Sequence, residues 1–220
     1  MLNDKAALRS RLLAARAELS PGQRQDAALA LAREALTLLP APLPGAASPV
    51  VAGYVSVGAE PGTRALLDAL RARGARVLLP VLLPDNDLDW GEYQDAGRLR
   101  RAGRGLLEPD GDRLGPEAVC AAGLVLLPGL AVDRHGARLG RGGGSYDRVL
   151  ARLSARSGTA RPSGPVLATL LYDAEVLEGV PAEAHDRPVD AAVTPSGVHW
   201  FGEAGPAGAV GAGATPPGSA

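Results

Sequence analysis

Hydrophobic residues recur with two different periods along this chain. From residue 4 to residue 19 they fall at Leu8, Leu12, Ala15 and Leu19, which is one stripe of a helix. Ser20-Pro21-Gly22-Gln23 reads as the start of a second helix: Ser20 caps, Pro21 suits the first helical position and Gln23 completes a capping box. The helical pattern continues through residues 27–39 until a run of prolines stops it. Beyond that point the apolar runs shorten. Residues 50–57 read as a buried strand, and residues 58–62 as the loop at its carboxyl end. Thr63 is placed to cap a helix over residues 64–73 that Gly74 closes, and residues 76–83 form the next strand. Strand, helix and strand in this order make a βαβ unit with a right-handed crossover.

The second half continues in the same manner. Residues 85–93 alternate around Leu88, Trp90 and Tyr93 and predict a short strand, whereas glycines and Pro109 leave residues 99–116 irregular. A short helix over 117–122 precedes a strand beginning at Leu124. A helix over 146–155, a strand over 166–171, a helical turn over 173–177 and a last strand over 189–193 follow. The pattern predicts an α/β fold of three layers, α/β/α, around a mostly parallel sheet. Residues 1–201 are expected to form a single domain. Residues 202–220 are Gly, Ala and Pro with almost no charge, the composition of a disordered tail.

One run differs from the rest. The apolar stretch from Leu124 to Val132 and Asp133 leads into Arg134-His135-Gly136-Ala137-Arg138-Leu139-Gly140-Arg141-Gly142-Gly143-Gly144-Ser145-Tyr146-Asp147. Glycines permit positive φ and close backbone approach, so successive N–H groups can converge into an anion-binding nest. The helix start beyond adds free N–H donors, and Arg138 and Arg141 supply forked donors that suit phosphate or carboxylate. Taken by itself, the run would also be consistent with a solvated surface loop. Its position between a buried strand and a helix favours an anion site. The familiar glycine loops do not fit: no Lys follows the last glycine, the first glycine of a dinucleotide fingerprint would directly follow the strand, and Gly-x-Ser-x-Gly is absent.

Composition narrows the function further. Acidic and basic residues nearly balance, which argues against a general nucleic-acid binder. Cys120 is the only cysteine, so no internal disulfide or cysteine zinc site can form, and a reducing, cytoplasmic setting is expected. The charged, amphipathic start is not a secretory signal, and no stretch reaches the ~18 apolar residues of a membrane helix. Lys5 and Arg9 share a helix face, which on its own suggests only a solvated basic stripe. Glu60 stands in a loop at a strand's carboxyl end, where ligands bind in such sheets. Asp147, at a helix start, serves either the helix dipole or a metal; Asp186, beside His185, could complete an oxygen site for Mg²⁺.

The central run resembles the signature of the 5-formyltetrahydrofolate cyclo-ligase family. The residues that carry the likeness are Pro128-Gly129, Asp133, Gly136, Arg138-Leu139-Gly140-Arg141-Gly142, Gly144 and Tyr146-Asp147. Lys5 and Leu8-Arg9, residues 54–63, Glu108-Pro109, His185-Asp186 and Val189-Asp190 extend it over residues 5–194. Two positions depart: Ser145 stands where many members carry the first of two aromatics, and Gly143 where some carry Lys. The resemblance implies a Rossmann-like domain that closes 5-formyltetrahydrofolate to 5,10-methenyltetrahydrofolate, using ATP as co-substrate with Mg²⁺ and releasing ADP and phosphate. It implies that the formyl oxygen attacks the γ-phosphorus and that N10 then attacks the phosphorylated imidate. Lys5, Ala6, Ala7, Leu8 and Arg9, with Arg138, Leu139, Gly140, Arg141, Gly142, Gly143, Gly144, Ser145 and Tyr146, would bind ATP. Val55 and Glu60 would meet the folate together with Arg141, Gly142, Gly143, Gly144 and Ser145. Arg141 would be catalytic, and Asp147 and Asp186 would hold the metal. A monomer acting on small molecules is expected, with no nucleic-acid or membrane partner. Another phosphoryl-transfer or sugar-phosphate enzyme, or a non-catalytic nucleotide-binding sensor, is the competing expectation.

Overall fold

The computed structural model describes residues 2–43, 45–155, 164–182 and 187–202. In chain order its elements are α1 (Leu2–Glu18), α2 (Pro21–Ala35), β1 (Val50–Ala52), α3 (Arg64–Ala72), β2 (Arg76–Leu82) and β3 (Leu88–Glu92). Next come β4 (Leu99–Arg101), β5 (Leu107–Pro109), β6 (Leu124–Pro128), β7 (Ala131–Asp133), β8 (Arg138–Leu139) and α4 (Ser145–Ala155). The chain continues with β9 (Val166–Leu170), β10 (Val176–Leu177), β11 (Ala191–Thr194) and β12 (Gly197–Trp200). The main sheet has seven strands in the order β12-β11-β9-β6-β1-β2-β3. Its five inner strands pair in parallel, while β3 and β12 close the two edges antiparallel.

The apolar runs are continuous because the inner strands are covered on both faces. On β6, Leu124 and Leu126 pack with Leu31 of α2 and Leu66, Leu67 and Leu70 of α3. Val125 and Leu127 point the other way, toward Val149, Leu150 and Leu153 of α4. The expected three-layer α/β/α arrangement is therefore present. A third, smaller cluster lies under α1, where Leu12 packs on Leu130, Ala131, Leu139 and Val180.

Local signals at the second helix are realised in full. Gln23 N–H donates to Ser20 Oγ at 3.2 Å and Ser20 N–H to Gln23 Oε1 at 2.9 Å, the two halves of a capping box. Thr63 behaves differently from the expectation, since its side chain makes no cap. It accepts from Ser56 N–H at 2.9 Å while Thr63 N–H donates to Ser56 Oγ at 3.2 Å. This reciprocal pair cinches the base of the loop that carries Glu60. Regular pairing of the strand expected over residues 50–57 ends at Ala52.

Three β elements depart from the expected pattern. The irregular stretch 99–116 contains the β4–β5 hairpin, with Leu99 opposite Pro109. Residues 131–133, expected to continue the apolar run from Leu124, and residues 134–139, expected as loop, fold into the β7–β8 hairpin, and β10 joins it in a three-stranded sheet. β12 follows the strand expected to be last. These strands are two to four residues long, too short for a period-two pattern to register. His185, Asp186 and the tail from residue 203 lie outside the described residues.

Gly136, at the tip of the β7–β8 hairpin, has φ +80°, and a Cβ there would lie 2.4 Å from the Val189 carbonyl oxygen. Its own carbonyl accepts from Val189 N–H at 2.9 Å, so the two segments cannot separate without losing that bond. Gly136→Ala is expected to cost about 2 kcal/mol or more, from positive φ and clash together. Urea denaturation would show a lower midpoint; an unchanged midpoint would mean the contact yields freely.

Candidate active site

The carboxyl ends of β1, β2 and β6 open onto one cleft of about 410 Å³, within the usual range for a small-molecule site. Tyr54 and Val55 enter it just beyond β1, Pro80 and Leu82 from the end of β2, and Pro128 from the end of β6. This is the position that an open parallel sheet reserves for ligands.

One wall is basic and rich in free N–H groups. The glycine loop from Gly140 to Gly144 lines it, followed by Ser145, Tyr146 and Asp147 at the start of α4. Gly142 and Gly144 take φ of +91° and +76°, the left-handed conformations that an N–H nest needs. Gly143 is exposed and a Cβ there would meet open space, so its lack of a side chain is not sterically enforced. Lys5 and Arg9 reach this wall from α1, and Arg9 Nε donates to the Gly140 carbonyl at 2.9 Å across 131 residues of sequence. Ala6 and Ala7 of the expected ATP-binding run are exposed and do not line the cleft, and Leu8 packs instead against the small core under α1.

Two arginines of the signature are held in different ways. Arg138 is nearly buried, donating to the Pro128 carbonyl at 2.9 Å and to Asp147 Oδ1 at 3.1 Å. It ties the end of β6 to the start of α4 and so braces the glycine loop between them. Arg141 is half-exposed and donates to Glu60 Oε1 at 3.2 Å, while the other Glu60 oxygen accepts from Val57 N–H at 2.9 Å. Glu60 is itself well shielded, and its carboxylate stands between the glycine loop and the apolar wall. That apolar wall consists of Val57, Pro80, Leu82, Leu88, Leu106 and Leu107. Arg104 stands among them.

Tyr146 and Tyr54 complete the floor. Burial, reinforced by the negative charge of Glu60, pushes both phenols well above their ordinary pKa, so both stay protonated near neutrality. The Tyr146 hydroxyl is buried with no hydrogen-bond partner among the described residues, although it belongs to a residue lining the cleft. A buried donor without a partner costs free energy until a ligand satisfies it.

What brings α1 to the loop is a buried ion pair outside the cleft. Arg16 Nε donates to Glu175 Oε1 at 2.6 Å and Arg16 Nη2 to Glu175 Oε2 at 2.8 Å, with Arg16 only 2% exposed. Arg16 Nη2 also donates to the Gly129 carbonyl at 2.7 Å, in the signature run. Burial alone would lower the Arg16 pKa, but the hydrogen bonds and charge of Glu175 hold it above its ordinary value. Glu175 Oε2 accepts from Tyr172 N–H at 2.9 Å, and the Tyr172 hydroxyl donates to the carbonyl of Ala59, next to Glu60, at 3.3 Å. The pair thus touches the first helix, the signature run and the Glu60 loop.

Comparison with known proteins gives the arrangement its context. Residues 1–195 match the model of the 5-formyltetrahydrofolate cyclo-ligase family. The chain belongs to that family. It is 45% identical over 150 residues to the 5-formyltetrahydrofolate cyclo-ligase of Mycolicibacterium smegmatis, covering 66% of this chain and 73% of that one. The Escherichia coli K12 cyclo-ligase is 31% identical over 185 residues, 83% of this chain and 96% of that one. Among solved structures, the 5,10-methenyltetrahydrofolate synthetase of Aquifex aeolicus superposes with a TM-score of 0.70 at 28% identity, covering 90% of this chain and 92% of that one. The chain is thus a cyclo-ligase, an enzyme of 5-formyltetrahydrofolate closure.

Most of the sequence-derived site residues of this cyclo-ligase meet at the cleft: Lys5, Arg9, Val55, Glu60 and every position from Arg138 to Asp147. Asp186 lies outside the described residues, and these hold no cluster of three metal-ligating side chains. Sequence reasoning did not assign Tyr54, Val57, Pro80, Leu82, Leu88, Arg104, Pro128 or the leucines at 106 and 107 to the cleft, although Tyr54, Val57 and Pro128 lay in the segments that carried the family likeness. Pro80 and Leu82 had a legible signal, since they end a strand in a parallel sheet. Arg104, Leu106 and Leu107 had none, because only the β4–β5 hairpin brings them over the sheet.

A charge pair this buried is fragile when halved. Glu175→Ala leaves Arg16 charged without a counter-ion and is expected to lose about 3–5 kcal/mol of unfolding free energy. The double variant Arg16→Met with Glu175→Leu should recover most of that loss, because it removes both charges together. Equal stability of the single and double variants would show that desolvation is not the governing cost.

Proposed function

We propose that this cyclo-ligase binds ATP on the basic wall and 5-formyltetrahydrofolate across Glu60 and the apolar wall, and joins them at Arg141. The observation that supports this reading is the 3.2 Å contact from Arg141 of the glycine loop to Glu60, a carboxylate that would suit a pterin. Glu60 can accept paired hydrogen bonds from the amino and ring N–H groups of a pterin. Val55 and the walls above it would bury the ring, and the Tyr146 hydroxyl is a donor awaiting a partner. Lys5, Arg9 and the N–H groups from Gly142 to Ser145 would take the polyphosphate, with Leu139 and Gly140 forming the floor beneath it. Ala6, Ala7 and Leu8 would contribute only by carrying Lys5 and Arg9 on one helix.

Phosphoryl transfer needs positioning and charge stabilisation more than covalent help from the protein. The formyl oxygen would attack the γ-phosphorus with ADP leaving, and N10 would then attack the imidate carbon with phosphate leaving. Arg141 would stabilise the charge that develops in the first step, once its hold on Glu60 is exchanged for the phosphoryl group. Asp147 faces the cleft with oxygen ligands and suits Mg²⁺, which usually takes one or two carboxylates together with substrate phosphates. Asp186 is the proposed second carboxylate. The ion would neutralise phosphate charge.

The proposed catalytic unit is a single domain over residues 1–201 that acts as a monomer on small molecules. The single Cys120 supports a cytoplasmic setting. Among the described residues no helix is long and apolar enough to cross a membrane.

The direct test is purified protein with 5-formyltetrahydrofolate, ATP and Mg²⁺, followed by the absorbance of the methenyl product; absence of product would refute the proposal. Arg141→Ala should lower kcat by about 10²–10³-fold while changing folate affinity only a few-fold. Comparable losses in both would assign Arg141 to ground-state binding. Glu60→Gln should instead raise the folate KM by about 10–100-fold, the value of a charge-assisted hydrogen-bond pair. An unchanged folate KM would move the pterin elsewhere.

A further inference from the structure

The β4–β5 hairpin places one cation on the apolar side of the cleft, far along the chain from the arginines of the glycine loop. Arg104 sits at the hairpin tip between Gly103 and Gly105, with φ +59° and ψ +21°. A non-glycine residue in this left-handed conformation is held at a cost that the surroundings must offset. The hairpin is firmly seated on the sheet. Leu82 N–H of β2 donates to Glu108 Oε1 at 3.0 Å, and Leu114 N–H, just beyond the hairpin, donates to the Trp90 carbonyl of β3 at 2.9 Å. A Cβ on Gly91 of β3 would fall 2.6 Å from Pro109 Cγ, so the hairpin lies directly against the sheet backbone.

Three of the four neighbouring arginines are spoken for within the protein, and the fourth, Arg101, does not line the cleft. Arg98 pairs with Asp110 at 3.1 Å, Arg113 with Glu108 at 3.6 Å, and Arg100 donates to the Asp110 carbonyl at 2.6 Å. The Arg104 guanidinium has no such partner among the described residues, yet it lines the cleft next to Leu106 and Leu107. Arg104, Glu60 and the aliphatic side chains of Leu82, Leu106 and Leu107 line one cleft, a combination that suits a ligand flat and apolar in the middle and anionic at its far end.

We infer that Arg104 binds a carboxylate of the first glutamate of the tail of 5-formyltetrahydrofolate, and so sets the enzyme's preference for glutamated folates over the pteroate that lacks the tail. The inference rests on the placement of the pterin at Glu60 proposed above. The pterin end is fixed by Glu60, the benzoyl ring lies along Leu82, Leu106 and Leu107, and the tail emerges at the hairpin tip. A guanidinium fork suits either carboxylate of the glutamate.

The test uses three substrates that differ only in the tail: 5-formyltetrahydropteroate, which lacks glutamate, 5-formyltetrahydrofolate, and its triglutamate. Arg104→Gly is the informative variant, because glycine accepts the positive φ and should leave the melting temperature equal to or above that of the wild type. For this variant kcat/KM should fall about five- to tenfold with both glutamated substrates and stay within about twofold with the pteroate, with the ATP KM unchanged. Arg104→Lys should recover part of the loss. Direct binding of the three folates, measured by calorimetry without ATP, should show the same discrimination. Equal losses on all three substrates would assign Arg104 to general packing, and a raised ATP KM would assign it to phosphate; either overturns the inference while leaving the folate site intact. Wild-type protein that binds none of the folates would overturn the inference and the proposed folate site together.

Discussion

Two charges removed from water hold the catalytic half of this protein together. Arg16 and Glu175 are 159 residues apart in sequence, and each is almost completely buried. Desolvating such a pair costs nearly as much as the attraction returns, so its value lies less in stability than in where it forces the chain to go. Lys5, Arg9, Leu12 and Arg16 fall on one stripe of α1, at spacings of four, three and four residues. Arg16 anchors one end of that stripe to the Gly129 carbonyl and to Glu175. Lys5, about 16 Å further along the helix, is then delivered to the glycine loop.

The same anchor reaches the opposite side of the cleft. Glu175 fixes the Tyr172 backbone, and the Tyr172 hydroxyl holds Ala59, adjacent to Glu60. Across the cleft, Ser56 and Thr63 cinch the base of that loop by exchanging hydrogen bonds. A cation-bearing helix and a carboxylate-bearing loop are therefore referred to one buried centre. The cleft between them divides by polarity, with N–H groups and arginines on one wall and aliphatic side chains on the other. Arg141 and Glu60 meet at the boundary, where the transferable phosphoryl group and its acceptor would have to meet.

Much of this architecture was legible beforehand. β6 reads as an uninterrupted apolar run because α3 and α4 cover its two faces, and the capping box at Ser20 is a purely local agreement between side chain and backbone. The glycine loop was visible as a break in that rhythm, and its place between a buried strand and a helix suggested an anion site. Other signals misled. Thr63 had the residue type and position of a helix cap, but a nearby serine offered its hydroxyl a better partner. Arg138 and Arg141 look equivalent in the sequence, yet one braces the loop against Asp147 and Pro128 while the other is aimed across the cleft.

Sequence alone determined the layers, the glycine loop and the chemical character of the residues around it, because periodicity, capping and turn formation act over a few neighbouring residues. Tertiary structure alone decided which charges are structural and which face the cleft. It buried Arg16 against Glu175, joined Arg141 to Glu60 and set Arg104 on the apolar rim. Those outcomes depend on segments tens to more than a hundred residues apart meeting in space, and no local pattern records which of several identical guanidinium groups will find an internal partner.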